Sequence, residues 1–185
     1  MPAESKYKIS GKCSNSEKMV ISRRMEKKTT IRHRFINPVL MWFLVAIGVF
    51  LAFLYVPAMD VFERTFLGSL VFVLTICYWA YFFIGSIIVN RKAALSVDSI
   101  DRLVTEGVYG MVRHPIYSAD IFLSWGFLLV FPDLKVLVSV IWLTLVLAYW
   151  MVLEENALEE KFGREYREYE KNVPMVIPEF KKIKK

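Results

Sequence analysis

The chain has 185 residues, of which 56% are hydrophobic, 15% aromatic and 23% charged, with a formal net charge of +6. An ordinary soluble domain is about 45–50% apolar, and here the apolar residues run together: residues 38–59 and 65–90 carry no charge at all. A bilayer core of about 30 Å needs about 20 helical residues to cross it, so these runs exclude a small soluble enzyme, an all-β domain and a disordered chain.

In chain order, residues 1–37 form a basic tail, with Lys6, Lys8, Lys12, Lys18, Arg23, Arg24, Lys27, Lys28, Arg32 and Arg34 against Glu4, Glu17 and Glu26. Such a tail orients the chain and touches anionic lipid. It lacks the folded, aromatic-studded surface of a nucleic-acid site, so no nucleic-acid partner is expected. Four apolar segments follow: Pro38–Met59, Thr65–Asn90, Ile116–Phe131 and Val136–Leu153. The first lies too far from the N-terminus for a signal peptide and reads as a permanent span. Pro132 and Asp133 separate the last two, which predicts a helical hairpin. Val136–Leu153 gives about 27 Å of helix, just enough to span.

Lys and Arg alternate between the connecting pieces. The turn 60–64 holds Arg64, whereas residues 91–115 hold Arg91, Lys92, Arg102 and Arg113. The hairpin tip holds Lys135, and the chain is basic again from Lys161 onward. Positive charge concentrates on the cytoplasmic side, so both termini and the 91–115 loop are expected there. The predicted fold is all-α and integral to the membrane, multi-pass, with about four transmembrane helices. It divides into the tail 1–37, two spans in 38–90, and a region 91–185 that holds the candidate site.

Beyond the last span, Leu153, Ala157, Leu158, Phe162, Tyr166 and Tyr169 recur at three to five residues, which predicts a cytoplasmic amphipathic helix. Gly163 inside it costs about 1 kcal/mol relative to Ala, which predicts close packing against a neighbour or ligand. Val173-Pro174 and Ile177-Pro178 end the helix, and Phe180–Lys185 mixes apolar residues with Lys as a membrane-surface anchor does.

The two cysteines, Cys13 and Cys77, and the two histidines, His33 and His114, are too few and too scattered for a zinc cluster, so no metal is expected. No G-x-G pair occurs, so neither a dinucleotide fingerprint nor a P-loop can be drawn.

Two polar segments flank the hairpin: Leu103–Tyr117 before it and Glu154–Leu158 after it. A hairpin goes out and returns, so Arg113 and Glu154 should meet at one depth. Tyr109, Arg113, His114, Tyr117, Glu154 and Glu155 would then line one membrane boundary. Taken singly, Arg113, Tyr109 and Tyr117 are ordinary interfacial anchors, and Pro115 suits the first turn of a helix. Glu154 and Glu155 are different, because carboxylates at the end of an apolar helix need partners or water. Asp120 is the acid inside a predicted span.

Together the segments read L-V-x-x-G-x-Y-x-x-x-R-H-P-x-Y over Leu103–Tyr117 and E-E-x-x-L-x-x-x-F-G-x-x-Y-x-x-Y-x-x-x-V-P-x-x-I-P over Glu154–Pro178. This resembles the isoprenylcysteine carboxyl methyltransferase and phospholipid N-methyltransferase superfamily of integral-membrane enzymes. The resemblance implies a methyltransferase that holds S-adenosyl-L-methionine at the cytoplasmic membrane face, in a pocket closed by the C-terminal segment. The matching cofactor positions are Leu103 and Val104 through backbone groups, then Gly107, Tyr109, His114, Pro115, Tyr117, Glu154 and Glu155. Arg113 matches the arginine that supports the loop. The implied partners are the bilayer and a membrane lipid or lipidated substrate, methylated on a carboxylate or, alternatively, on a phospholipid amine. An amine must lose a proton, which Glu154 or Asp120 could take.

Two positions depart from the prenylcysteine pattern. Asp101 stands where those enzymes carry His, and Trp150 stands where they carry an Arg facing the substrate carboxylate. Losing that Arg removes a bidentate grip, and Trp150 could instead stack on a cationic head group. Two readings of another class remain open: an NADPH-dependent sterol reductase-like protein, and a membrane adaptor without catalytic activity.

Overall fold

The computed structural model of the chain describes residues 38–89 and 102–179. The basic tail, Asp101, Arg91 and Lys92 of the 91–115 loop and the Phe180–Lys185 anchor lie outside the described residues. Among the described residues the α-helices are α1 Pro38–Tyr55, α2 Phe66–Val89, α3 Pro115–Val130, α4 Leu134–Phe162 and α5 Arg164–Asn172. A 3-10 turn, Gly107–Gly110, precedes α3. The protein is an all-α integral-membrane protein. α1, α2 and α4 are each long and apolar enough to cross a membrane. α3, with 16 residues, reaches about 24 Å.

The outer surface explains itself by its solvent. Phe43, Phe50, Leu54, Phe66, Leu67, Leu74 and Leu145 all point outward and exposed. In water such a surface would aggregate; in a bilayer it is the correct one. Inside, α4 packs on α1 and on α3, and α3 packs on α2, while α1 and α2 share no packed interface. The helices therefore form an open row, α1–α4–α3–α2, with a gap between its two ends. Gly48 lets α1 approach α4: a Cβ there would overlap the Trp142 ring, whose indole N–H donates to the Leu44 carbonyl at 3.1 Å.

At one end of the bundle the hairpin is closed by Asp133, whose carboxylate accepts the Lys135 amide at 2.7 Å and caps α4. Val61 N–H donates to the Pro132 carbonyl at 2.7 Å and Leu134 N–H to that of Met59 at 2.8 Å. The α1–α2 connection is thus laced to the hairpin tip.

At the other end the last span and the amphipathic helix expected beyond it are joined, and the break falls at Gly163, inside the expected helix. α4 runs on without interruption to Phe162, 29 residues in all, or about 43 Å. The apolar run stops at Leu153, but Glu, Asn, Ala and Leu are good enough helix formers to continue the hydrogen-bond ladder into water. The chain turns at Gly163 instead, with φ 56° and ψ −116°. Close packing is not the reason for this glycine, since an added Cβ there would meet nothing within 4 Å. The reason is the positive φ, which only Gly adopts cheaply.

α5 then lays Tyr166 and Tyr169 into a cluster with Val173, Leu103 and Phe162. The chain after α5 returns along the segment that leads into α3. Arg113 N–H donates to the Pro174 carbonyl at 2.9 Å, His114 N–H to that of Met175 at 3.2 Å, and Glu179 N–H to that of Met111 at 3.0 Å. The Ser118 hydroxyl adds a bond to the Val176 carbonyl at 2.7 Å.

Candidate functional site

The strap of residues 173–179 fixes the backbone of Arg113 and His114, and Pro115 starts α3 directly after them. A proline at the first helical position loses nothing, because its missing N–H would have had no partner. Arg113 and His114 are thereby held at the mouth of the hairpin, level with the end of the apolar part of α4.

Five side chains interlock there. Arg113 Nε lies 2.8 Å from Glu155 Oε1, and Arg113 Nη1 donates to the Glu170 carbonyl at 2.9 Å. The buried His114 ring stands between both acids, with Nε2 at 3.3 Å from Glu155 Oε1 and Nδ1 at 3.7 Å from Glu154 Oε2. The Tyr117 phenol donates to Glu154 Oε1 at 2.6 Å, and its ring stacks near that of His114. The expected meeting of Arg113 with α4 occurs, with Glu155 as its partner rather than Glu154.

Tyr109 and Tyr169 tie the 3-10 turn to α5, the Tyr169 phenol donating to the Tyr109 carbonyl at 2.7 Å. Burial pushes the Tyr109 phenol up to about 12, and nearby Ser86 holds the shift back. Burial also raises the Tyr169 phenol, with the neighbouring Tyr109 adding to the rise. Both stay neutral hydrogen-bond donors at physiological pH.

These groups wall a cavity of about 490 Å³, a volume in the range of about 300–1,000 Å³ that encloses small-molecule ligands. Of the residues singled out in the sequence, Tyr109, Arg113, His114, Pro115, Tyr117, Asp120 and Glu154 line it together. Glu155 stands behind His114, bonded to it. Leu103 instead packs under α5 beside Tyr166 and Tyr169, and Val104 against Phe82, Val108 and Val112. Gly107 begins the 3-10 turn with φ 61° beside Val89. Trp150 is buried in the α1–α4 core with Met41, Leu147 and Met151 and is not on the cavity wall.

The two first spans contribute residues that sequence reading passed over as plain apolar helix. Trp79, Phe83 and Ile87 of α2 form one wall, and Pro38, Met41 and Trp42 of α1 the other. The spacing of 79, 83 and 87 by four is one stripe of a helix, and Trp79 on it carries a polar N–H in an apolar span. That was the available signal. Because α1 and α2 do not pack on each other, these walls face each other across the gap in the row. A second cavity of about 440 Å³ adjoins the first at Trp42 and Asp120 and continues between α1, α3 and α4, past Leu123, Val140 and Leu143 to Phe53.

A family model described as phospholipid methyltransferase matches residues 64–165, more than half of the chain. The chain belongs to the phospholipid methyltransferase family. The match starts before α2 and ends in α5, so it contains the hairpin and both acid-bearing ends. Among curated proteins, this family member is similar to the methanethiol S-methyltransferase of Pseudomonas deceptionensis, 34% identical over 93 residues, which are 49% of this chain and 33% of that protein. It is similar to protein-S-isoprenylcysteine O-methyltransferase B of Arabidopsis thaliana, 35% identical over 80 residues, covering 42% of this chain and 40% of that one. It is also similar to the Delta(14)-sterol reductase of Mus musculus, 34% identical over 80 residues, 42% of this chain and 19% of the reductase. The matched part therefore spans two fifths or less of the length of each of these relatives. No solved structure matches the chain.

Proposed function

We propose that this protein is a membrane-embedded, S-adenosyl-L-methionine-dependent methyltransferase acting on a lipid or lipidated acceptor. The observation that carries the reading is the cavity at the end of the hairpin, walled by acids and phenols above and by apolar side chains below. Among the described residues around it, Glu154, Glu155, Asp120 and Glu170 stand against one permanent cation, Arg113. An excess of carboxylates with neutral phenols suits a ligand that carries a sulfonium and an ammonium. The volume suits it as well. The family resemblance supports the same ligand, and the relatives named as S- and O-methyltransferases support the same reaction class.

When bound, S-adenosyl-L-methionine supplies a methyl group on a cationic sulfur, open to in-line attack. The chain's own residues then have three tasks. Tyr109, His114, Tyr117, Glu154 and Glu155 hold the charged end, the two glutamates already oriented by Tyr117, His114 and Arg113. Leu103, Val104 and Gly107 form the backbone that supports this loop from behind. Trp79, Phe83 and Met41 exclude water, so that alignment and fixed charge lower the barrier. The strap of residues 173–179 closes the site and orders Arg113.

The acceptor enters from the bilayer through the gap between α1 and α2, and the second cavity has room for an apolar chain. In this reading residues 91–185 form the catalytic region, residues 38–90 supply two spans and a wall, and both termini lie in the cytoplasm. The test is incubation of purified protein with methyl-labelled S-adenosyl-L-methionine and a total lipid extract. A labelled lipid that depends on Glu154 is the expected product. Absence of label from every lipid fraction, with the donor bound, would overturn the acceptor class.

A further inference from the structure

The end of the bundle away from the candidate site has a cavity of its own, of about 460 Å³. Four charged side chains line it: Asp60 and Arg64 from the α1–α2 connection, Asp133 at the hairpin tip and Lys135 in the first turn of α4. Beside them the wall is apolar, with Phe53 of α1, Phe127 of α3 and Phe131 just after it. Phe53 and Phe127 also line the apolar cavity between α1, α3 and α4, so the two cavities adjoin.

The backbone at this mouth is fixed. Asp60 and Asp133 pair as an antiparallel bridge, with the Val61–Pro132 and Leu134–Met59 hydrogen bonds on either side. Each cation leans across to another helix. The Arg64 guanidinium stands over the Phe131 ring at 5.7 Å, and the Lys135 ammonium over the Phe53 ring at 6.0 Å. Among the described residues no salt bridge joins either cation to Asp60 or Asp133. One oxygen of Asp133 is taken up by the Lys135 amide.

A single cation at a membrane boundary is ordinarily a snorkelling anchor. Here Lys and Arg are sparse, with Arg64 in residues 60–64 and Lys135 at the hairpin tip, yet both open on one cavity. Standing over rings, they keep their N–H groups for a further acceptor. A phosphate supplies such oxygens, and the planar fork of Arg matches two of them. The two acids balance the two cations, so a head group that carries its own positive charge beside the phosphate complements this mouth better than a bare anion does.

We propose that this cavity holds a zwitterionic phospholipid of the leaflet opposite the candidate site. Its phosphate lies between Arg64 and Lys135, its ammonium toward Asp60, and an acyl chain along Phe53 and Phe127. The lipid is a bound component of the bundle and not a methyl acceptor, because the length of α3, about 24 Å, separates its head group from His114. Seated there, it bridges the α1–α2 connection to the hairpin tip, in a bundle whose α1 and α2 do not pack on each other. The site stands independently of the methyltransferase reading.

The test uses the full chain in dodecyl maltoside and native mass spectrometry, with three ligands that share their acyl chains. They are dioleoylphosphatidylcholine, dioleoylglycerol, which lacks the phosphate, and dioleoyl-trimethylammonium-propane, which lacks the phosphate and keeps the cation. Wild type is expected to bind the phosphatidylcholine about tenfold tighter than dioleoylglycerol, the size of one charge-assisted hydrogen bond, and the cationic lipid no tighter than dioleoylglycerol. Arg64→Gln combined with Lys135→Gln brings the phosphatidylcholine down to the level of dioleoylglycerol. An excess of inorganic phosphate leaves the phosphatidylcholine in place. Equal binding of phosphatidylcholine and dioleoylglycerol by wild type, or a phosphatidylcholine preference that survives in the double variant, overturns the proposal. Displacement by inorganic phosphate overturns it as well, since the site would then take free phosphate rather than lipid. The wild-type ranking decides alone if the double variant does not fold. Wild type that shows the lipid preference without binding S-adenosylhomocysteine keeps this inference and loses the methyltransferase reading.

Discussion

Tyr117 and Glu154 meet across the α3–α4 hairpin at 2.6 Å, phenol to carboxylate, although 37 residues separate them. The bond sets one oxygen of Glu154 and leaves the other facing His114 at 3.7 Å. A carboxylate held this way is oriented before any ligand arrives, which lowers the cost of ordering it on binding.

Glu154→Gln is therefore expected to weaken S-adenosylhomocysteine binding by about tenfold or more, the scale of a hydrogen bond to a charged group. Tyr117→Phe should weaken it less, because the charge remains and only its orientation is lost. Isothermal titration of the detergent-solubilised variants checks both. Unchanged affinity in Glu154→Gln would remove this residue from the pocket.

Arg113 has a different weight. It is nearly buried, pairs with Glu155 at 2.8 Å and holds the Glu170 carbonyl at 2.9 Å. Arg113→Ala removes the cation beside Glu155 and the tie to the Glu170 carbonyl, leaving the Tyr169–Tyr109 bond between α5 and the loop. Removing one partner of such a pair costs about 3–5 kcal/mol when buried. Because Glu155 keeps some exposure, about 2–3 kcal/mol is expected here. The readout is a lowered unfolding midpoint in detergent, together with faster proteolysis after Phe162.

Gly163 is expected to be intolerant for a backbone reason. Its φ of 56° with ψ −116° suits no L side chain, while the space around it is open. Gly163→Ala should cost about 1–2 kcal/mol despite the absence of any clash, and Gly163→Val more. Equal stability of the alanine variant would show that α4 and α5 can turn by another route.

The topology has its own check. Cysteines introduced near residues 10 and 180 should label only from the cytoplasmic side, and one at Asp133 only from outside. The warrant is the alternation of Lys and Arg between the connecting pieces. Labelling of residue 180 from outside would mean a span missed or one too many.

Much of this protein was legible without coordinates, for physical reasons that act locally. An uncharged run of some twenty residues can only be a span, so α1 and α2 followed from composition, and Pro132-Asp133 made the hairpin. The hairpin in turn required Arg113, His114 and Tyr117 to face the Glu154–Glu155 end of α4, because antiparallel helices return to the same depth. What depended on tertiary structure was every choice between equivalent apolar surfaces. All faces of α2 look alike to lipid, so only packing against α3 decides that Trp79, Phe83 and Ile87 turn inward. Trp150, read from its position as a substrate neighbour, is drawn into the core because Met41 of α1 packs there. Nothing local announces that contact. The continuation of α4 past Leu153 is of the same kind: helix propensity alone permits a stop or a continuation, and the packing of Ala157 and Leu158 against the bundle settles it. The apolar runs determined that the chain lies in the membrane. Which of their faces line the cavity beside Asp120, Glu154 and His114 was decided only by how the four helices pack.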